Sequence, residues 1–444
     1  MLSKSDNEVL CRIGPGSYMG DLYRQYWFPG MPSYELPSPD SPPKRVRLLG
    51  EDLVAFRDSN GAVGLVAQSC PHRGASLFFG RNEEAGLRCV YHGWKYDVTG
   101  ACIDMPSEPA ESNFKSKVRA RAYPTHEVNK MIWIYMGPRE VPPPFPKFDI
   151  TTLPEDQVME PRIMMEEANW FQNLEGDIDS IHIDYLHSSV RFDSIVSGNI
   201  DGKFVRDRAA TLDVVPTEYG AFYAAKRRWN EEGDIWHRIT QYVFPANTMI
   251  AASSSGTVTL RTHVPLDDHY SMMIAQTANL ERPVTAEENA AARNTYDSVG
   301  GYVPVTSDPR DRYATAANKH NDYFLDRDLE KKLFIGVIGG IGNLQDRAMT
   351  EPMTSADGIE PIYDRSKEHL ATTDSMIILT RRMIIKAARV LREQDVAPAN
   401  VDNADLAAVR STSIVLPPGA DWIKESEPGR RAAEGAEVVY VTAP

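Results

Sequence analysis

The chain has 444 residues, 42% hydrophobic and 25% charged, a balance that suits two or more packed globular units and excludes a disordered or fibrous chain. Acidic residues outnumber basic ones, 62 to 48, for a formal charge of -14, a surface that repels nucleic-acid backbones and anionic lipid. No apolar run approaches the ~20 residues that span a bilayer. The opening Met-Leu-Ser-Lys-Ser-Asp-Asn-Glu lacks the apolar stretch of a secretory signal, so the expectation is a cytoplasmic protein with neither nucleic acid nor membrane as a partner.

In chain order, residues 1–35 read as a polar, mostly helical lead-in, with Tyr23, Tyr26 and Trp27 as apolar anchors. Short strand-like runs follow at 45–49, 53–57 and 62–67, with the turn signal Asn60-Gly61 before the last, and again at 87–90 and 130–136. A proline cluster at 141–146 can continue neither strand nor helix and predicts a boundary near residue 150. Beyond it the pattern predicts a helix over roughly 166–188. Strand-like runs then occupy 220–226, 237–244, 249–253, 257–263 and 271–277. Strands in succession joined by short loops favour an antiparallel sheet. Residues 283–334 are polar, suited to helices and long loops. Met376, Thr380, Met383, Ile384, Ala387 and Leu391 then share one helical face. The expected fold class is α+β, with a β-rich domain over 1–150 and a larger domain over 151–444 whose antiparallel sheet packs on helices.

Two short pairs carry the first chemistry. Cys70-Pro-His72 is followed, after sixteen residues, by Cys89-Val-Tyr-His92. Thiolate is a soft charged donor and imidazole a borderline neutral one, so two of each suit a tetrahedral zinc or a two-iron, two-sulfide cluster. Gly74 and Gly93 stand where a backbone must turn tightly and aim N–H groups at sulfur. The full string, Cys70-Pro-His72-Arg-Gly74-Ala and then Cys89-Val-Tyr-His92-Gly93-Trp94, resembles the Rieske motif. That resemblance implies a [2Fe-2S] cluster with Cys70 and Cys89 on one iron and His72 and His92 on the other. Two neutral imidazoles in place of thiolates raise its potential.

The larger unit begins with Asn169-Trp-Phe-Gln-Asn-Leu-Glu175-Gly-Asp177-Ile-Asp179-Ser-Ile-His182-Ile-Asp-Tyr-Leu-His187. On a regular helix His182 and His187 stand about 140° apart, so both reach one metal only where the helix ends or bulges. The H-E-x-x-H spacing of metalloproteases is missing. Beside the first motif, D-x-x-H-x-x-x-x-H resembles the mononuclear iron motif of the Rieske non-haem iron oxygenases. The resemblance implies iron(II) held by His182, His187 and a distant carboxylate, with positions left open for dioxygen. It implies for Asp179 a hydrogen bond to His182 and to His92 of a neighbouring subunit. Asp346, 159 residues after His187 in Gln345-Asp346-Arg-Ala348-Met-Thr-Glu351, is the expected third ligand, with Glu351 and Asp364 as alternatives.

The resemblance covers nearly the whole chain. It includes Cys11-Arg-Ile-Gly-Pro15-Gly, Asp104-Met-Pro-Ser-Glu-Pro109 and Asp364-Arg-Ser-Lys-Glu-His369, which look like the phthalate 4,5-dioxygenase branch. It implies a helix-grip-like catalytic domain and assembly as a trimer or stacked trimers. Its activity would be hydroxylation of an aromatic acid with O2, or oxidative O-demethylation of a methoxylated one by the same metal chemistry. One departure is the segment 352–360, longer than the branch's usual Ser-Met-Gly, which could reshape the pocket or its lid. Only Cys11 and Cys102 remain as cysteines, too few for a second cluster, and no flavin or nicotinamide motif is visible, so a separate NAD(P)H-dependent reductase is the expected electron source. The run Gly336-Val-Ile-Gly339-Gly340-Ile-Gly342 matches no nucleotide loop and reads as tight backbone packing beside the iron. An aromatic carboxylate favours a bidentate arginine, and Arg228 and Arg238 are the expected anchors among Arg227, Arg228, Arg238 and Arg261. The competing classes are a Rieske electron carrier with an appended binding domain and a zinc-bearing binding protein.

Overall fold

The computed structural model describes residues 2–109, 111–188, 208–251, 256–296, 300–337, 342–407 and 409–431. Among them the first part of the chain is built from three small antiparallel sheets. Strands β1 (Trp27–Pro32), β10 (Thr125–Val128) and β11 (Met131–Tyr135) form one, in the order β1-β11-β10. Strands β2 (Lys44–Leu48), β3 (Glu51–Arg57), β4 (Val63–Ala67) and β9 (Ala122–Tyr123) form the second. The third holds β5 (Arg81–Glu83), β6 (Gly86–Arg88), β7 (Lys95–Tyr96) and β8 (Cys102–Asp104). Leu49 and Gly50, both at positive φ, make the two-residue turn from β2 to β3. At the predicted Asn60-Gly61 turn the Asp58 carboxylate accepts from the backbone N–H of Asn60 and Ala62, an Asx-turn that fixes the register of β4.

The larger unit is one antiparallel sheet. Its strands are β12 (Arg162–Glu166), β13 (Thr211–Pro216), β14 (Gly220–Arg228), β15 (Ile235–Val243), β16 (Asn247–Ile250), β17 (Thr257–Pro265), β18 (Ser271–Asn279) and β19 (Ser413–Leu416). They run in the order β12-β18-β17-β16-β15-β14-β13, with β19 paired to the first half of β15. The helices Trp170–Ile178 and Ser375–Gln394 pack on its inner face. Of the predicted stripe the long helix buries Met376, Thr380 and Ile384, with Met383, Ala387 and Leu391 half-buried beside them, and it ends at Asp395 in the left-handed conformation.

Two expectations change. The predicted helix over 166–188 is a strand end followed by a shorter helix. Asn169 caps Trp170–Ile178 by accepting from the Phe171 N–H, and the helix stops where Asp179 becomes extended and accepts from the Ile181 N–H. The lead-in is α-helical over Lys4–Cys11 and Tyr18–Tyr23, after which Trp27–Pro32 is strand and Ser33–Glu35 a single 3-10 turn. These two helices lie against Ser375–Gln394 of the larger unit. One apolar core accordingly runs from Leu10, Tyr23 and Phe28 through Trp133 to Trp170, Tyr242 and Ile384. A second core, with Val54, Phe56, Leu87, Trp94 and Tyr96, surrounds Cys70 and Cys89. No helix among the described residues is long and apolar enough to cross a membrane.

Candidate metal centres

Cys70-Pro-His72 and Cys89-Val-Tyr-His92 sit on two loops of the same design. In each, the cysteine carbonyl accepts from the glycine four residues on, Gly74 or Gly93, at 2.8 and 2.9 Å. In each, the cysteine N–H donates to the carbonyl five residues on, of Ala75 or Trp94, at 2.8 Å. Both glycines have positive φ, which a side chain would strain, and a Cβ on Gly93 would stand 2.7 Å from Pro106. The loops bring His72 Nδ1 within 3.1 Å of His92 Nδ1. The His72 ring is held by stacking on Trp94 at 4.2 Å. Both sulfurs are buried, and Cys70 Sγ lies 3.2 Å from the Tyr96 hydroxyl.

Burial pushes the Cys70 thiol up, and the facing Cys89 adds to this, so a thiolate at Cys70 requires bound positive charge. Burial, His72 and Arg73 hold His92 below its ordinary value, in the neutral form that ligates a metal. Two buried sulfurs and two converging ring nitrogens on opposed loops fit a Rieske [2Fe-2S] cluster, and all four sequence-predicted residues are brought together.

The second group forms where the helix Trp170–Ile178 ends. His182 and His187 occupy successive short 3-10 turns, His182–Asp184 and Leu186–Ser188, so the 140° separation of a regular helix never arises. Their Nε2 atoms stand 3.2 Å apart. Asp346, on the helix Gly342–Thr350, places Oδ1 3.0 Å from His187 Nε2 and 3.5 Å from His182 Nε2. Two imidazoles and one carboxylate converging within this span fit a mononuclear metal bound on one face, and among the described residues no other group of three has its donor atoms so placed.

The Nδ1 sides of both rings are also engaged. Gln345 donates its amide Nε2 to the Val337 carbonyl at 2.9 Å, which leaves Oε1 to accept from His187 Nδ1 at 2.8 Å. His187 must then carry its proton on Nδ1 and present the Nε2 lone pair. Asp179 Oδ2 stands 3.5 Å from His182 Nδ1 and favours the same tautomer. Burial opposes charge on His182, but Asp179 and Asp346 outweigh it and raise the imidazole above its ordinary value. The alternatives to Asp346 lie elsewhere. Glu351 is buried and committed to Arg347 Nε at 2.6 Å and the Tyr323 hydroxyl at 2.5 Å. Asp364 accepts from Ser366.

The arginines sort by strand parity. Arg227 and Arg238 point to the inner face with Tyr223 and Thr240, whereas Arg228 alternates to the other face with Phe222 and Ala224, which Trp422 covers. Arg228 is exposed, so its expected role as a substrate anchor is corrected. Arg227 forms a buried pair with Asp184 at 2.5 Å. Arg238 donates to Ser180 Oγ at 3.4 Å and acts electrostatically on His182.

A network that the sequence does not reveal lies beside them. Asp177 accepts from Arg261 at 2.7 Å and Thr248 at 2.7 Å, and His263 Nε2 stands 2.9 Å from it. Burial opposes charge on Asp177, yet Arg261 and His263 hold its carboxyl well below the usual range. Burial drives the nearby Glu166 well above that range. Sheet register sets Thr248 opposite Arg261, two residues from His263, and the packing of the helix Trp170–Ile178 on the sheet brings Asp177 to them.

Segment 352–360 is pinned as a tight loop. The Ser355 N–H donates to the Glu360 carbonyl, and Arg12 of the lead-in grips the Glu360 carboxylate at 2.8 Å. Of the glycine-rich run, residues 338–341 lie outside the described residues. Cys11 is packed under Arg365 Nη1 at 3.2 Å with its thiol pushed up to about 11 by burial, and Cys102 is buried in the second core.

Residues 26–124 match the Rieske [2Fe-2S] domain family and residues 134–438 the LigXa C-terminal domain-like family. The 3-chlorobenzoate-3,4-dioxygenase oxygenase subunit of Comamonas testosteroni is 39% identical over 432 residues, 95% of this chain and 97% of that one. The phthalate 4,5-dioxygenase oxygenase subunit of Pseudomonas putida is 36% identical over 434 residues, 95% of this chain and 94% of its own. Among solved structures, the terminal oxygenase of carbazole 1,9a-dioxygenase from Novosphingobium sp. KA1 aligns with a TM-score of 0.55 at 18% identity. That alignment covers 87% of this chain and 98% of that one, a likeness of fold alone.

Proposed function

The chain belongs to the Rieske-type ring-hydroxylating oxygenases, as an oxygenase subunit, and from that premise we propose that it hydroxylates an aromatic carboxylic acid with O2 and electrons from a separate NAD(P)H-dependent reductase. It is an oxidoreductase with a Rieske [2Fe-2S] site and a separate mononuclear metal triad. The observation that carries the reading is the convergence of His182, His187 and Asp346 in a chain that also bears the two Cys/His loops. An electron carrier with an appended binding domain would have no use for the second group. The aromatic-acid class rests on the 3-chlorobenzoate and phthalate relatives, both matched end to end, and the phthalate 4,5-dioxygenase branch is the one we favour.

In this reading Cys70, Cys89, His72 and His92 hold the cluster, and His182, His187 and Asp346 hold iron(II). When bound, the cluster supplies single electrons and the iron the redox centre at which O2 is reduced. The protein's own groups do the positioning. Gln345 and Asp179 fix both ring tautomers. A short reach from Asp179 to His92 of a neighbouring protomer requires assembly, for which a homotrimer or stacked trimers is the form proposed. Arg238, on the same face as His182, remains a candidate contact for substrate. The test is metal and sulfide analysis with an absorption spectrum, followed by oxygen uptake and product mass spectra across phthalates, benzoates and methoxybenzoates. Roughly three irons and two acid-labile sulfides per chain are expected. Iron at the cluster alone sinks the reading. Formaldehyde release from a methoxybenzoate assigns oxidative O-demethylation instead of ring hydroxylation.

A further inference from the structure

We propose that Arg162, with Arg261 and Tyr296, forms an anion-binding site on the inner face of the sheet and takes the carboxylate of the aromatic acid. The inference rests on the reading above. Arg162 begins the edge strand β12, opposite Ala275 of β18, and Ala275 stands opposite Arg261 of β17. The three share one row on the inner face, where the arginine Cα atoms are two strand spacings, roughly 10 Å, apart. Between them only the methyl group of Ala275 rises from the sheet.

The two arginines differ in what they face. Arg261 has Asp177. The Arg162 guanidinium has no hydrogen bond or ion pair among the described residues, and the groups that act on it are Arg261, Tyr296 and Tyr302, a cation and two phenols. Burial, with Arg261 beside it, pushes the Arg162 guanidinium below its ordinary value. Arg162 is half-buried, so its guanidinium keeps part of its water but has no counter-ion, and a bidentate carboxylate would supply one. Tyr302 is committed to the Ile163 carbonyl at 2.5 Å. Tyr296 is buried, and its hydroxyl has no hydrogen-bond partner among the described residues.

The same face leads from Arg162 to the metal triad. Met164, Met273 and Ala275 form one apolar cluster with Tyr296 and with Leu344, which lies two residues before Asp346 on its helix. Arg261 acts electrostatically on Asp346 as well as Asp177. A benzoate-sized ring over these side chains would keep its carboxylate at Arg162 and turn its far edge toward His182, His187 and Asp346.

Isothermal titration of the metal-loaded full chain with benzoate, benzamide and acetate tests this, beside Arg162→Gln and Arg162→Lys variants checked for folding by thermal melts. Wild type should prefer benzoate. Arg162→Gln should weaken benzoate by roughly 10- to 100-fold and leave benzamide within about threefold. Arg162→Lys keeps the charge, loses the fork and should fall between. Were Arg162→Gln not to fold, the benzoate-over-benzamide preference of the lysine variant decides. Unchanged benzoate affinity in the variants overturns the anchor and leaves the proposed function standing. Equal binding of benzoate and benzamide by wild type overturns the aromatic-acid reading and the anchor with it. Acetate binding as tightly as benzoate shows a general small-anion site and overturns the substrate assignment.

Discussion

Replacing Gln345 by leucine tests whether ring orientation at the metal triad is imposed by its neighbours. Gln345 is completely buried, accepting from His187 Nδ1 at 2.8 Å and donating to the Val337 carbonyl at 2.9 Å. Leucine fills much of the same volume but strands both. His187 then has no acceptor to hold its proton on Nδ1, and the tautomer carrying it on Nε2 cannot ligate. Loss of such an outer partner weakens metal binding by about 10- to 100-fold, or about 1.4 to 2.7 kcal/mol. The assay is iron(II) retention against a graded chelator. The [2Fe-2S] absorption of the same sample serves as an internal control, since Gln345 does not touch the Cys/His loops. Gln345→Glu restores an acceptor toward Nδ1 while losing the bond to Val337, and should recover most of the affinity. Wild-type iron retention in Gln345→Leu, with oxygen uptake intact, would refute the orienting role.

Asp346→Asn should lower iron from roughly three to roughly two per chain with sulfide unchanged, by metal analysis. Cys89→Ala should do the reverse, abolishing the cluster absorption and leaving the single iron. For pH, His182 must lose its proton to ligate, and its folded-state value lies above the ordinary 6.5. Iron affinity should therefore fall by up to about tenfold per pH unit below that raised value, measured by competitive chelation. In the metal-free chain, the stabilisation from this imidazolium is present below its unfolded value and lost as pH rises through the folded one. Arg227→Met leaves Asp184 buried without its cation, a loss of about 3–5 kcal/mol visible in thermal unfolding.

The metal-site residues were legible because their chemistry depends on residue type and local spacing. Cys70, His72, Cys89 and His92 lie on two loops that each close on themselves, so the neighbouring glycines already announce the turn. His182 and His187 demanded a broken helix, but the place of the break was not read; it falls at Asp179, whose carboxylate competes for a backbone N–H. The arginines were not legible, because which face a strand residue occupies depends on where the strand starts. A shift of one position separates Arg227, buried against Asp184, from exposed Arg228. Arg162 was missed for a related reason, since no strand was read over 162–166. Asp177, His263 and Glu166 meet only through strand pairing and the packing of a helix on the sheet, which local pattern does not encode.

The lead-in helices have a consequence for how the two units are mounted. Lys4–Cys11 and Tyr18–Tyr23 belong spatially to the catalytic half, with the Tyr23 hydroxyl on the His263 carbonyl and Arg365 on Cys11. The cluster-bearing sheets are therefore an insertion whose entry and exit strands, β1 and β11, are hydrogen-bonded side by side. A module anchored at both feet has little freedom to swing, so delivery of charge over a short range cannot depend on a hinge within the protomer. A fragment started at residue 151 would bare Trp170, Ile384 and Met376 to water, and would be expected to aggregate instead of folding as a free-standing oxygenase half.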